Sequence, residues 1–148
     1  MSTLYILYGS ATGNSQHIAK DLASTVQSST FTNVICVELN DYKKKCLKDW
    51  ETEPIAPNSK HALIIVCSTT GNAEAPENAD RFTRWIKRKT TRGNQFEFVA
   101  YSVLGLGDSN YDVFCAAAKV SCLNIALPLI ICKLKFSMIL LYVFNILL

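Results

Sequence analysis

The chain of 148 residues has only two histidines and, although it has six cysteines, no C-x-x-C pair. Zinc sites are usually built from such closely spaced ligands, so no metal site is expected. The N-terminus lacks a basic segment, and its first apolar run stops at Gly9, which is too short for a secretory signal peptide. These absences predict a reduced, cytoplasmic protein in which Cys36 and Cys67 are small core residues.

The sequence also lacks a strong excess of either charge. Its formal net charge is +3, which does not by itself indicate a nucleic-acid-binding protein. The composition is 49% hydrophobic and 18% charged, which excludes a disordered or low-complexity chain. The length suits a single domain with a substantial core.

Acidic residues are missing altogether from residues 121–148, and 21 of these 28 residues are apolar. All twelve acids lie in the first 120 residues, whose composition is that of an ordinary globular domain. The contrast predicts a domain over residues 1–120 followed by an apolar tail of uncertain structure over residues 121–148.

The apolar pattern of the first 120 residues predicts alternating strands and helices. Residues 40–58 are polar and predict a loop with one helical turn. Strands are expected at 3–8, 33–39, 61–67 and 96–104, and helices at 17–27, 78–89 and from 111 to 119. This order predicts an α/β fold, a doubly wound parallel sheet between two layers of helices.

Three loops follow the carboxyl ends of predicted strands, where such sheets bind ligands. The first loop opens a helix, where free N–H groups and hydroxyls favour a phosphate. It has neither G-K-[ST] nor G-x-G-x-x-G, which excludes a Walker A loop and the dinucleotide fingerprint. A plain helix cap with turn residues is the alternative. The first loop comprises Ser10, Ala11, Thr12, Gly13, Asn14 and Ser15.

The second and third loops are weaker signals when each is taken alone. The small residues of the second loop allow a ligand to approach the backbone, although an ordinary turn fits equally well. In the third loop Tyr111 is suited to stack on a planar ligand, or else to be a core or surface tyrosine. The second loop contains Ser68, Thr69, Thr70 and Gly71. The third contains Leu104, Gly105, Leu106, Gly107, Asp108, Ser109, Asn110 and Tyr111.

Four strings together resemble the FMN-binding, flavodoxin-like domain of the NADPH-dependent diflavin reductases. They are L-Y-G-S-A-T-G-N-S, C-S-T-T-G-N, P-E-N-A-D-R-F and L-G-L-G-D-S-N-Y-D-V-F-C. The last is most similar to methionine synthase reductase and next to the iron–sulfur assembly reductase. The resemblance covers about residues 3–119. It implies FMN as cofactor and electron relay from an FAD/NADPH reductase domain, absent from this chain, to an acceptor protein.

The resemblance also implies roles for the three loops. Residues 10–15 would hold the FMN phosphate, and residues 68–71 would line one face of the isoalloxazine ring. The third loop, extended through Asp112 and Val113, would wrap the ring and ribityl chain. Tyr111 would stack on the other face of the ring, and Asp108 would hydrogen-bond the ring or ribityl chain. No catalytic nucleophile or general acid is implied, and His17 and His61 are expected at the surface.

The sequence departs from the family pattern at two places in the first 120 residues. Where the family usually has G-D-P-P, residues 73–76 are A-E-A-P. If the first of these positions needs positive φ, Ala73 strains the loop by about 1–2 kcal/mol. Basic clusters lie at 43–45 and among 87–92, whereas the family usually presents an acidic face to its partners. These clusters are interpreted as solvent-exposed surface.

After Val120 the sequence leaves the family pattern, and three interpretations of the tail stay open. The favoured one is a truncated product, in which residues 125–132 pair beside the fourth strand, with Pro128 restricting them to a sheet edge. The second is a membrane tail anchor over 130–148, where Lys133 and Lys135 would each cost about 2.5–3.5 kcal/mol at the bilayer centre. The third is a divergent native fifth strand and helix.

The tail also leaves alternatives for the function. A domain that lacks the family's fifth strand is either an FMN-binding electron carrier, a flavin-free interaction module, or a non-functional truncated product. A membrane-anchored electron donor is a further alternative.

Overall fold

The computed structural model describes residues 2–26, 31–50, 61–71, 73–88, 96, 99–107, 113, 115–125, 131–135 and 139–144. Its first half contains β1 (Thr3–Gly9), α1 (Asn14–Thr25), β2 (Asn33–Glu38), a 3-10 turn (Leu39–Asp41), α2 (Tyr42–Lys45), α3 (Leu47–Trp50) and β3 (His61–Ser68). Its second half contains a 3-10 turn (Glu77–Ala79), α4 (Asp80–Ile86), β4 (Val99–Leu106), α5 (Ala116–Ile125), β5 (Ile131–Lys135) and β6 (Ile139–Phe144).

These strands form one sheet in the order β2-β1-β3-β4-β6-β5. The first four strands are parallel, which is the doubly wound arrangement that the sequence predicts. Two clusters of buried side chains lie on opposite faces of this sheet. One includes residues of α1, and the other includes residues of α2 to α5. The α/β fold with helices on both faces is therefore confirmed.

Strand β1 shows why a parallel sheet needs continuously apolar strands. All seven of its residues are buried. Tyr5 and Leu7 belong to the cluster beneath α4, whereas Leu4 and Ile6 belong to the cluster beneath α1. Because successive strand residues point to opposite faces, a strand covered on both faces must be apolar throughout.

Helix α4 has the apolar stripe that its spacing predicts. Phe82, Trp85 and Ile86 are buried, while Arg81 and Arg84 are exposed. An amphipathic helix of this kind is held mainly by packing of its apolar face on the sheet. The helix ends at Ile86, three residues before the predicted end.

The boundaries of two other elements differ from prediction for local reasons. Helix α1 begins at Asn14 rather than at residue 17. The prediction placed its start too late because the first turn is polar and adds nothing to the apolar pattern. Strand β4 runs to Leu106 rather than to Leu104, since Gly105 is paired with Cys67 of β3 instead of opening a loop. Residues 39–50 are also more helical than the single turn that was predicted.

The tail contributes an antiparallel hairpin to the sheet. Strand β6 pairs with β4, from Ser102 opposite Val143 to Leu106 opposite Ile139, and β5 pairs with β6. The predicted pairing of residues 125–132 with β4 is therefore wrong. Pro128 cannot donate a ladder hydrogen bond, whereas Ile139–Phe144 is an apolar run without proline.

Helix α5 runs through the predicted domain boundary at residue 120 and ends at Ile125. The tail thus begins inside a helix of the fold. Across the part of the chain that the structure describes, none of the helices has the length and hydropathy needed to cross a membrane.

Candidate functional site

The ends of β1, β3 and β4 lie side by side at one edge of the sheet. Gly9 is paired with Cys67, and Cys67 is paired with Gly105. The Ser68 hydroxyl donates a hydrogen bond to the Gly9 carbonyl at 3.3 Å, and the Thr69 N–H donates to the Leu106 carbonyl at 3.1 Å. The three polar loops therefore start within a few ångströms of one another, at the edge where such sheets bind ligands.

The first loop is a turn that leads directly into α1. Gly13 has φ of 94°, a left-handed conformation that glycine adopts without strain. Its N–H donates to the Ser10 hydroxyl at 3.0 Å, and the Ser10 N–H donates to the Asn78 side chain at 2.9 Å. The Ser10 N–H and one lone pair of its hydroxyl are thus engaged inside the protein, while the hydroxyl keeps its own hydrogen to donate.

The start of α1 offers further hydrogen-bond donors besides Ser10. Residues 11, 12 and 14 are exposed, and the N–H groups of the first turn of a helix have no partner within the helix. These groups and the positive end of the helix dipole attract an anion. The loop contains no lysine or arginine, so binding there would depend on N–H and hydroxyl donors.

Ser15 is the most specific sign of a ligand in this loop. It is fully buried, and its hydroxyl is without a hydrogen-bond partner among the described residues. A buried hydroxyl left unpaired costs about 1–3 kcal/mol. A phosphate oxygen at the start of α1 would give it a partner, so the residues present fit a phosphate group.

The second loop is a tight turn between Thr70 and Glu74. Their backbones exchange two hydrogen bonds of 2.9 Å, and the turn between them contains Gly71 with φ of 47°. Ala73 has φ of 71°, so the position that departs from the family's glycine does require positive φ. The strain predicted for Ala73 is therefore present. Asn72 lies outside the described residues.

Replacing Ala73 with glycine is expected to raise the free energy of unfolding by about 1 kcal/mol. Glycine removes the clash of Cβ at positive φ, although it also gives the unfolded chain more freedom. Urea unfolding of Ala73→Gly measures the difference. Ala11→Gly is the control, because Ala11 is an exposed loop residue without positive φ. Equal destabilisation by both substitutions would contradict the strain.

The third loop is described only at its two ends. Leu104 and Leu106 still belong to β4 and pack against the cluster beneath α1. Gly107 approaches Cys115, with 3.0 Å between a Cβ built on the glycine and the cysteine Sγ. Val113 is 54% exposed. The remaining predicted residues lie outside the described part of the chain, namely Asp108, Ser109, Asn110, Tyr111 and Asp112.

The sequence reasoning missed two asparagines near the start of α4, of which Asn78 connects it to the first loop and Asn40 holds its first turn. Asn78 accepts from Ser10 and also donates to Glu38 at 3.4 Å. Asn40 donates to the Glu77 carbonyl at 2.8 Å, and its side-chain oxygen accepts from the Arg81 N–H at 2.9 Å. The sequence feature that could have pointed to Asn78 is its position in the string P-E-N-A, just before the predicted apolar stripe of α4.

These asparagines line an open, polar pocket of about 550 Å³ beside the first loop. Its lining is Ser10, Ala11, Glu38, Asn40, Asp41, Glu77, Asn78 and Arg81. Because Ser10 and Ala11 form one wall, this pocket adjoins the candidate phosphate site.

The structure tests the predictions for two cysteines and for the two histidines. Burial raises the pKa of the Cys67 thiol to about 12, which keeps it protonated and unreactive at neutral pH. Cys67 is a core residue as predicted, whereas Cys36 is half-buried.

His17 is exposed beside Asp21, as expected of a surface residue. The surface prediction is wrong for His61, which is half-buried with its ring 6.0 Å from that of Tyr5.

The profile of the flavodoxin family matches residues 6–120 of the chain. Among curated relatives, NADPH-dependent diflavin oxidoreductase 1 from Candida albicans is 34% identical over 77% of the chain and 18% of the relative. The sulfite reductase NADPH flavoprotein alpha-component from Shewanella sp. (strain ANA-3) is 38% identical over 79% of the chain and 17% of the relative. Methionine synthase reductase from Bos taurus is 34% identical over 81% and 16%. The chain thus spans less than a fifth of each relative's length.

Solved structures show the same fold. The crystal structure of oxidised flavodoxin 1 from Bacillus cereus has a TM-score of 0.57 at 16% identity, covering 84% of this chain and 74% of that one. Oxidised flavodoxin 2 from the same organism has a TM-score of 0.55 at 20% identity, with the same coverage.

Proposed function

Because the chain belongs to the flavodoxin family, we propose that it is an FMN-binding electron-transfer domain. When bound, FMN accepts electrons and passes them on singly, while the protein positions the ring and tunes its potential. The names of the relatives, a diflavin oxidoreductase and a sulfite reductase flavoprotein, support this role. The domain would relay electrons from an FAD- and NADPH-containing reductase domain to an acceptor protein.

The Ser15 hydroxyl, which is buried and unpaired within the part of the chain that the structure describes, is the observation that carries the proposal. A helix cap alone would not leave a hydroxyl buried and unpaired at the first turn. The FMN phosphate would accept from Ser15, from Thr12 and from the N–H groups that open α1. The Ser10 hydroxyl, which accepts from Gly13, would hold the turn closed instead of serving as the main ligand.

The second and third loops would hold the flavin ring. Residues 69–71 lie at the end of β3, where Thr69 is tied to β4 and to the start of α5 through hydrogen bonds with Leu106 and Ala117. This fixes one side of a slot for a planar group, and residues 107–113 would close the other. In this assignment residues 1–120 are the flavin domain, and the β5–β6 hairpin of the tail covers the open side of β4.

Titration of the purified chain with FMN tests the function. FMN fluorescence is expected to be quenched on binding. Riboflavin, which lacks the phosphate, should bind at least about tenfold more weakly, because charge-assisted hydrogen bonds contribute 1.5 kcal/mol or more. If neither flavin gives a signal, the electron-transfer assignment fails and a flavin-free interaction module takes its place.

Replacing Tyr111 with alanine should weaken FMN binding about tenfold and relieve the quenching of its fluorescence, because a stacked ring contributes about 1–3 kcal/mol. Tyr101→Phe is the control, because Tyr101 is a buried tyrosine of β4 inside the core. Unchanged affinity in Tyr111→Ala would refute the stacking role.

Replacing Asn78 with alanine is expected to weaken FMN binding about tenfold, since the turn that carries the phosphate donors loses one anchoring hydrogen bond. Isothermal titration with FMN measures this change. Asn40→Ala is the matched control, because Asn40 holds the start of α4 and has no bond to the first loop. Asn40→Ala should lower stability with less than threefold effect on FMN affinity. Equal losses of affinity would argue against positioning by Asn78.

A further inference from the structure

The structure joins two basic segments that lie about 40 residues apart in the sequence. The ring of Tyr42 in α2 packs on Phe82 and Trp85 of α4, with centroid distances of 5.2 Å and 4.5 Å. Arg88 is close enough to Tyr42 for its charge to counteract the rise in the phenol's pKa that burial causes. The outward sides of α2 and α4 are therefore neighbours.

Exposed cations cover these outward sides and the adjoining α3. We call the following set the basic surface: Lys43, Lys44, Lys45, Lys48, Arg81, Arg84, Lys87 and Arg88. These eight residues are more than half of the 15 lysines and arginines in the chain. Residues 39–50 and 77–88 contain only four carboxylates, so together they have a net charge of +4, against +3 for the whole chain. The positive charge is thus concentrated on one side of the molecule.

The basic surface extends to the candidate flavin site. Arg81, in the first turn of α4, lines the same pocket as Ser10 and Ala11 of the first loop. Asn78, just before α4, accepts the Ser10 N–H. A partner that lay on α2 and α4 would therefore reach the edge of the sheet where the flavin is proposed to bind.

We propose that the basic surface docks the acidic face of a redox protein with which this domain exchanges electrons. This proposal rests on the proposed function. Complementary charge steers association and orients the partner, which shortens the path between two redox centres. The family resemblance leads to the opposite expectation, an acidic face on the flavin domain, so this chain would select a partner of reversed charge.

Three features favour a protein over a nucleic acid or a lipid surface. Asp41, Glu77 and Asp80 lie among the cations, and Asp80 pairs with Arg84 at 2.5 Å. The evenly spaced phosphates of a nucleic acid would be repelled by these carboxylates, whereas a protein surface can place opposite charges against both the cations and the carboxylates. The aromatic rings Tyr42 and Trp85 are buried, so they offer no platform for stacking bases.

The third feature concerns membranes. Among the described residues, Val113 is the one large hydrophobic residue that is exposed, and it follows β4 instead of belonging to α2 or α4. Peripheral membrane binding normally needs apolar side chains that enter the headgroup region next to the cations. In the described part of the chain, the basic surface has no large exposed apolar side chain of this kind.

Binding to an acidic [2Fe–2S] ferredoxin, a small redox protein of the required charge, tests the proposal. Isothermal titration of the full chain is run with and without FMN. Lys44→Glu and Arg88→Glu should each weaken binding about threefold and together about tenfold, and wild-type binding should weaken about tenfold between 20 and 200 mM salt. Lys20→Glu is the matched control, an exposed lysine of α1 on the opposite face of the sheet.

The outcomes separate the surface from the flavin. Ferredoxin binding by a chain that takes up no FMN would support the basic surface and contradict the proposed function. Absent binding, binding that does not depend on salt, or equal weakening by Lys20→Glu would overturn the docking surface. Tighter binding to a 20-base-pair DNA duplex, or to vesicles with 30% phosphatidylserine, would overturn the choice of a protein partner.

Discussion

Replacing Gly9 with alanine is expected to lower the free energy of unfolding by about 3 kcal/mol, the upper part of the usual range for overpacking a core. A Cβ on Gly9 would lie 2.6 Å from Ala79 Cβ, 2.9 Å from Cys67 Sγ and 3.2 Å from Leu39 Cδ1. These atoms belong to three different segments that are all buried. The nearest of them, Ala79 Cβ, is attached directly to the backbone and cannot rotate away, so the backbone must move.

The Gly9 substitution should also reduce ligand binding, because Gly9 directly precedes the first loop. Moving the end of β1 would displace Ser10 from Asn78 and disturb the turn before α1. Urea unfolding gives the stability change, and FMN titration of the folded fraction gives the affinity. The free energy of unfolding and the affinity for FMN are both expected to fall.

A second substitution makes this prediction specific. Ala79→Gly removes the nearest clashing atom, so the double variant Gly9→Ala/Ala79→Gly should recover at least about 1 kcal/mol relative to the sum of the single changes. Gly13→Ala is the control, because a Cβ there meets nothing within 4 Å and only its positive φ adds strain. Strict additivity of the Gly9 and Ala79 changes would contradict the packing explanation.

Replacing Ser15 with alanine should change stability and FMN affinity in opposite directions. Among the residues that the structure describes, the buried Ser15 hydroxyl has no partner, so its removal is expected to stabilise the flavin-free protein by about 1 kcal/mol. The same substitution removes a donor to the phosphate and should weaken FMN binding about 10- to 100-fold. Thermal unfolding without flavin and FMN titration measure the two effects.

Thr83→Val is the matched control for Ser15→Ala. The Thr83 hydroxyl is also buried and unpaired among the described residues, but it lies in α4 on the opposite side of the sheet from α1. Valine has the same shape, so this variant should gain stability without any change in FMN affinity. If Ser15→Ala behaves in the same way as Thr83→Val, the phosphate does not contact Ser15.

The short-range features of this protein were predictable from the sequence. The apolar stripe of α4 and the continuously apolar β1 and β3 follow from the periods of helix and strand, which depend only on neighbouring residues. The positive φ of Ala73 was raised as a condition by the family resemblance, because alanine stands where the family usually has glycine, and the structure shows that φ. The parallel sheet with helices on both faces was predictable because strand–helix–strand connections are right-handed, whereas the order of the strands was not predicted.

Tertiary structure decided what depends on residues far apart in the chain. The β5–β6 hairpin beside β4, the Asn78 contact with Ser10 and the joining of the two basic segments have no local signal, because each is set by packing between distant elements. The sequence by itself determined strands β1 to β4, helices α1 and α4 and the positions of the three polar loops in the chain, since local periodicity and turn chemistry specify them. Only the folded chain determined that the Ser15 hydroxyl is buried without a partner among the described residues and that Arg81 lies beside the first loop, because burial and proximity depend on the whole fold.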